Sequence, residues 1–141
     1  MRKRTKLLIK IPVYLTLGAK THFLSMNAYR NWHYFTSNKI KQLVEEQIAS
    51  QFPIDTQFNH YSITYIYNYK SKVSDLPNVC ALASKYLNDA MKSANIITDD
   101  NIQFLKSETY FVGSQSKDDP HILAFISEYN ATNHIDPRNL E

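Results

Sequence analysis

At 141 residues, with 43% apolar side chains and a net charge of +3, the chain is long enough for one domain with its own hydrophobic core. Only two glycines and a single cysteine, Cys80, exclude a glycine-rich phosphate loop, an internal disulfide bond and a cysteine-based zinc site. No apolar run reaches the roughly 18 residues of a membrane span, so we expect a cytoplasmic protein that makes no membrane contact.

The first half of the chain predicts one strand, a long connection and one helix. Residues 7–17 alternate loosely between apolar and polar, and Pro12 within them indicates an edge strand or a bulge. Residues 18–35 are polar and aromatic without a clear period, which is typical of a connection. A helix is expected from Lys39 to about Gln51, with Ser37 or Asn38 as its cap.

The second half predicts a strand, a long helix and a final pair of strands. Residues 60–69 are dominated by Tyr, Ile and Thr, which favour a strand. Asp75 is a good cap for a helix with an apolar stripe, and Asn95 is a plausible left-handed stop. Residues 102–112 and 122–129 predict two strands around a polar loop. The fold class is therefore α+β: a single domain over residues 1–141 with a mixed or antiparallel sheet and two main helices, a basic tail at 1–6 and a loose tail at 130–141.

The charges are distributed unevenly along the chain. The first 44 residues carry nine Lys and Arg and no Asp or Glu, whereas the other 97 carry seven basic and thirteen acidic side chains. Such asymmetry is a hint of nucleic-acid or membrane contact, and Lys and Arg supply most sequence-independent DNA affinity by neutralising phosphates. We expect Arg30, Lys39 and Lys41 to contact DNA phosphates.

Acidic residues flank the helix predicted after Asp75. Lys85 and Asp89 lie four apart within it, and Asp99 and Asp100 follow its end. Magnesium takes hard oxygen ligands and typically only one or two protein carboxylates, so this layout suggests a phosphodiester-cleaving site. Each element also has a simpler interpretation: Asp75 as a helix cap, Lys85 and Asp89 as a surface ion pair, and Asp99 and Asp100 as a polar turn.

The same segment resembles the RusA-like Holliday junction resolvases, small phage and prophage endonucleases. Their Asp-x-Asp-Asn motif corresponds to Asp75, Leu76, Pro77 and Asn78; a Lys and an Asp four apart correspond to Lys85 and Asp89; and a closing Asp-Asp corresponds to Asp99 and Asp100. The spacing from Lys85 to Asp100 matches, and the stretch before Lys85 is about one helical turn longer. The resemblance covers roughly residues 7–126, but its specific part spans some 26 residues.

The resemblance implies a Mg²⁺- or Mn²⁺-dependent endonuclease that resolves four-way junctions in phage recombination or repair. It implies Asp75, Asp100 and Lys85 as catalytic residues and Asp75, Asp99 and Asp100 as metal ligands. The family's second acidic residue falls on Pro77 here. Three alternatives follow: water replaces that ligand, Asp99 or Asn78 fills the gap, or the site is degenerate and the protein binds branched DNA or a protein partner without cleavage.

The symmetry of a four-way junction also bears on assembly. A junction is two-fold symmetric and needs paired nicks, so the resemblance favours a homodimer. The dimer contact is expected either on the sheet or in the aromatic segment 32–35. That segment, which follows Arg30, has two further interpretations, stacking on exposed bases or packing in the core.

Overall fold

The computed structural model describes residues 5–130. Nine elements follow in chain order: strands β1 (Lys6–Pro12), β2 (Tyr14–Leu17) and β3 (Lys20–Phe23), helices α1 (Met26–Asn31) and α2 (Tyr34–Ala49), strand β4 (Tyr61–Asn68), helix α3 (Leu76–Ser93), and strands β5 (Leu105–Val112) and β6 (His121–Glu128). The α+β class with a mixed sheet is thereby confirmed. Of the tails predicted at 1–6 and 130–141, residues 1–4 and 131–141 lie outside the described residues, and Lys6 belongs to β1.

The main sheet has the strand order β1-β6-β4-β5, and β2 and β3 form a separate hairpin. Strand β6 runs antiparallel to both β1 and β4, whereas β4 and β5 are parallel. A parallel pair needs a crossover connection, and α3 provides it. The start of α3 therefore follows the end of β4, and the end of α3 precedes the start of β5.

One face of the sheet carries the core. Alternate residues of the three antiparallel strands point toward α2 and α3 and are buried, among them Ile9 of β1, Tyr65 of β4 and Ala124 of β6. The predicted apolar stripe of α3, from Val79 to Met91, is buried as expected. The opposite face of the sheet has no helix on it within residues 5–130, and Leu8 and Phe125 are exposed there.

Several predicted boundaries are wrong for local reasons. The single strand over 7–17 is two strands, because β1 ends at Pro12 and the chain turns into the hairpin. Residues 18–35 are not a plain connection, since they contain β3 and α1. Helix α2 begins at Tyr34 and not at Lys39, because the His33 side chain caps it by accepting a hydrogen bond from the Phe35 N–H.

The predicted end of α3 is correct, whereas the predicted pairing of the last two strands is wrong. Asn95 has a φ of 60°, so the expected left-handed stop is confirmed. The expected final strand pair is wrong: β5 and β6 both pair with β4, on opposite sides, and not with each other. The polar loop between them thus crosses the end of β4, where Ser116 N–H donates to Tyr69 C=O at 2.7 Å.

Candidate functional site

Asp75 occupies the N-cap position of α3. Its side chain is exposed and makes no capping hydrogen bond, and Pro77 lies in the first turn, where a missing N–H costs little. Asn78, one of the residues expected to fill the gap left by Pro77, uses its Oδ1 to accept the Asn27 N–H at 2.9 Å. Asn78 therefore joins α3 to α1 at this end of the helix.

Asp99 and Asp100 lie beyond the other end of α3. Asp99 Oδ1 is 3.2 Å from the Lys92 Nζ and accepts the Asp100 N–H at 2.8 Å. The hydrogen bond from the Asp100 backbone, followed by the contact with Lys92, lowers the pKa of Asp99 from its ordinary value. Asp99 also accepts a hydrogen bond from the Asn101 side-chain amide, so these residues form the polar turn that one interpretation expected.

The length of α3 separates the expected ligands. An 18-residue helix spans about 27 Å, whereas two oxygens bound to one Mg²⁺ lie within about 4 Å of each other. Asp75 stands at the start of this helix and Asp99 is tied to its last turn, so the two carboxylates do not share one cation within the chain. No group of three acidic, histidine or cysteine side chains suited to a metal occurs among residues 5–130. The residues of one chain therefore do not fit the expected magnesium site.

Lys85 and Asp89 form part of a charged cluster between α2 and α3. The Asp89 Oδ2 is 2.9 Å from the Lys41 Nζ and 3.9 Å from the Lys85 Nζ, and Lys41 is also 3.3 Å from Glu45. The Lys85 ammonium lies over the Tyr29 ring, 5.9 Å from its centroid. Lys85 stands ten residues after Asp75, about 15 Å along the helix. It is thus held in the α1–α2–α3 packing and not beside Asp75.

Burial and ion pairing act in opposite directions on the pKa values of this cluster. Burial raises the pKa of Glu45, against the opposing effect of the Lys41 charge. For Lys41, burial lowers the pKa, but its hydrogen bond with Asp89 and the charge of Glu45 outweigh that effect and raise it. Lys41 is therefore paired with Asp89 and Glu45 while its side chain stays 45% exposed, and its expected contact with a DNA phosphate remains a prediction. Sequence spacing revealed only the Lys85–Asp89 pair, because Lys41 and Asp89 are 48 residues apart.

The other two expected DNA contacts lie in the consecutive helices α1 and α2. Arg30 is in the last turn of α1 and Lys39 in the second turn of α2; both are exposed, and neither has an ion-pair partner among residues 5–130. Between them, Tyr34 is 70% exposed and Phe35 is 73% exposed. We call Arg30, Tyr34, Phe35 and Lys39 the junction patch.

The aromatic rings around the junction patch divide into two groups. Trp32 is half-buried, with its ring edge-on to both His22 and Tyr29, so it belongs to the packing of α1 against the hairpin. Phe35 stacks on His33 at 5.5 Å and contacts Tyr34, and these rings project from the start of α2. The sequence could not distinguish the two groups because residues 18–35 show no hydrophobic period.

A polar network between α3 and β5 has no counterpart in the sequence pattern. Glu108 Oε2 accepts hydrogen bonds from the Tyr65 hydroxyl at 2.5 Å and from the Ser84 hydroxyl at 2.7 Å. Nearby, the Tyr61 hydroxyl donates to Asn88 Oδ1 at 2.5 Å, and the Asn88 amide donates back to Ser84. These contacts satisfy buried polar groups, which identifies the network as structural.

Neither a protein-family model nor a curated protein matches the chain. Within residues 5–130, none of the helices combines the length and the hydropathy needed to cross a membrane.

Proposed function

We propose that the protein binds branched DNA through the junction patch and does so without cleaving it by its own single-chain carboxylates. The observation that carries the proposal is the occurrence, side by side in the sequence, of two exposed cations and two projecting rings. The cations are Arg30 and Lys39, which have no ion-pair partner within residues 5–130, and the rings are Tyr34 and Phe35. The acid-free first 44 residues place this patch in the most basic part of the sequence.

The chemistry of the junction patch matches two features of a branch point. Lys and Arg neutralise backbone phosphates, and aromatic rings stack on bases, contributing about 1–3 kcal/mol per base. Bases in continuous duplex are already stacked on their neighbours, whereas in the open form of a junction the bases at the branch point expose a face. The rings therefore favour branched DNA over duplex, and the cations support binding to both.

Cleavage of a four-way junction is the second candidate. It is supported by the resemblance to the RusA-like family and by the Asp75 carboxylate, which is exposed and makes no hydrogen bond or ion pair within residues 5–130. The distance to Asp99 and Asp100 counts against it within one chain. The resemblance also supports a homodimer and a phage origin.

The test measures binding of a synthetic four-way junction and of a duplex of the same total length. Replacing both Tyr34 and Phe35 with Ala is expected to weaken junction binding about 5- to 150-fold for each base that no longer stacks, and duplex binding much less. Phe125→Ala removes a partly exposed ring from the open face of the sheet and serves as the matched control. Equal junction affinity for the wild type and the Tyr34/Phe35 variant would refute the proposal.

A cleavage assay distinguishes the two candidate functions, binding without cleavage and cleavage of the junction. The wild type, Asp75→Asn and Pro77→Asp are incubated with the junction in Mg²⁺ or Mn²⁺, and the DNA is resolved on a denaturing gel. Binding without cleavage by the wild type supports the first candidate. Cleavage by the wild type that Asp75→Asn abolishes would replace it with the second candidate. Cleavage by Pro77→Asp alone would identify a binder that lacks one ligand of the family.

A further inference from the structure

The open face of the main sheet lies opposite the helices. In β1, β4 and β6, the buried residues of the core alternate with residues that point to this open face. In β5, Glu108 and Tyr110 both contact Tyr65 on the helix side. The residues of β5 that alternate with them are therefore on the open side: Ser107, Thr109 and Phe111.

The register of the four strands arranges these outward side chains in three rows. Two neighbouring rows are mainly apolar: one contains Leu123, Ile66 and Phe111, and the next contains Leu8 and Phe125. The third row is polar and contains Lys6, Ser127, Ser62 and Ser107. Leu8 is 52% exposed, Phe111 53% and Phe125 42%, so two aromatic rings stand open on this face within residues 5–130.

The charged side chains in the three rows are all cations. Lys6 and Lys10 point to the open face, and no Asp or Glu occupies any outward position of the four strands. Lys10 pairs with Asp119, which belongs to the loop before β6, whereas Lys6 is exposed and has no ion-pair partner within residues 5–130. Lysine and serine side chains bind phosphate oxygens, and aromatic rings stack on bases.

We propose that the open face of the sheet binds single-stranded nucleic acid. Bases stack on Phe111 and Phe125, and the backbone follows the polar row that begins at Lys6. This surface is separate from the junction patch, which lies on the helices. The inference therefore holds whether or not the junction patch binds DNA.

The spacing of the two rings favours a single strand over paired DNA. Phe111 and Phe125 are separated by β4 and by one row of the register. With neighbouring strands about 4.8 Å apart and a rise of about 3.3 Å per residue, their Cα atoms are about 12 Å apart. Successive bases in one strand of a duplex are only about 3.4 Å apart. A strand that stacks on both rings must spread its bases, which paired DNA does not do, so this face adds little to the binding of a fully paired junction.

An amphipathic helix from a partner protein is the alternative occupant. Such a helix would use the two apolar rows and would gain nothing from the lysine and hydroxyl groups of the third. A nucleic-acid strand uses the rings, the hydroxyl groups and Lys6 together. The absence of carboxylates from all three rows therefore favours the polyanion.

The experiment measures binding of a labelled oligothymidine of about 16 nucleotides, the upper end of single-strand site sizes, by fluorescence anisotropy. An oligouridine and a DNA duplex of the same length are measured beside it, and the wild type should bind both single strands more tightly than the duplex. The two single strands show whether DNA or RNA is preferred. Phe111→Ala combined with Phe125→Ala should weaken single-strand binding about 5- to 150-fold for each base that no longer stacks.

Two controls separate stacking and phosphate contacts from general effects. Phe111→Tyr combined with Phe125→Tyr keeps both rings and should bind as the wild type does, and thermal melts confirm that each variant is folded. Lys6→Ala should reduce the slope of log affinity against log salt by about 0.7 on a single strand. Lys20→Ala removes an exposed lysine from β3, outside the main sheet, and should leave the slope unchanged.

A third control uses the rings of the junction patch, which could also stack on a free base. Tyr34→Ala combined with Phe35→Ala should weaken single-strand binding much less than the loss of Phe111 and Phe125. The reverse order would overturn the inference, because the strand then binds at the helices.

Three other results would also overturn the inference. The first is a wild type that binds no single strand, including where a partner protein or a second copy covers this face. The second is equal single-strand affinity for the wild type and the folded alanine variant of Phe111 and Phe125. The third is equal salt slopes for Lys6→Ala and Lys20→Ala. Loss of single-strand binding in the alanine variant, together with junction binding that does not depend on Tyr34 and Phe35, would refute only the proposed function.

Discussion

Removing Arg30 and Lys39, the two cations of the junction patch, should change how DNA affinity depends on salt. Each phosphate that is no longer neutralised reduces the slope of log affinity against log salt by about 0.9 on duplex DNA, so Arg30→Ala combined with Lys39→Ala should reduce it by about 1.8. Between 50 and 200 mM salt, this corresponds to a roughly 12-fold smaller decrease in affinity than in the wild type. Both side chains are exposed, so folding stability should change by less than about 0.5 kcal/mol per substitution.

The assay is fluorescence anisotropy with a labelled four-way junction at four or more salt concentrations. Lys106→Ala with Lys117→Ala is the matched control, because it removes the same charge from β5 and from the loop after it. That loop lines a groove with Gln47 and Ser50 near the opposite end of α2, about 12–17 Å along the helix from Lys39. Equal slopes for the two double variants would refute the assignment of phosphate contacts to Arg30 and Lys39.

Three further predictions concern the fold that holds the patch. Tyr61→Phe should lower the free energy of unfolding by about 1–3 kcal/mol in urea titrations, because Asn88 Oδ1 is buried and loses its donor; an unchanged midpoint would contradict that. Burial raises the pKa of Glu45 above its ordinary 4.5, so the folded state holds this proton more tightly and its stability falls as pH rises above about 4.5. Glu45→Gln should flatten this fall in thermal melts, and parallel curves would contradict it. Burial raises the pKa of Cys80 to about 12, which leaves about one thiolate in ten thousand at pH 8, so native protein should resist iodoacetamide until it is unfolded in urea.

The sequence predicted those elements whose pattern has a simple physical origin. The stripe of α3 and the strand β4 follow from hydrophobic period and β-branched or aromatic composition, and both were found where expected. The start of α2 was missed because His33 is not among the residues usually expected to cap a helix. The pairing of β5 with β4 could not be predicted locally, since it depends on the crossover through α3 and not on any residue of the loop between β5 and β6.

The expected site illustrates a limit of motif spacing. Matching residues at matching intervals suggested that Asp75, Asp99 and Asp100 meet, but a continuous helix fixes its two ends apart whatever the motif. The additional helical turn before Lys85 also places Lys85 further from Asp75 than the spacing of the family motif would. Spacing along a helix determines which side chains share a face, and only the tertiary connections determine which ends meet.

The ion pairs of the folded chain show which basic residues of the first 44 remain candidates for DNA contact. Of the six basic residues among the first 44 that lie in the described part of the chain, Lys10 is paired with Asp119 and Lys41 with Asp89 and Glu45. Folding thus brings acidic residues from later in the sequence next to some basic residues of the first 44, and these ion pairs neutralise part of their charge. The other four, Lys6, Lys20, Arg30 and Lys39, have no ion-pair partner within residues 5–130. Of these, Arg30 and Lys39 flank the exposed Tyr34 and Phe35 in sequence, so the candidate DNA contact narrows from a 44-residue segment to the end of α1 and the start of α2.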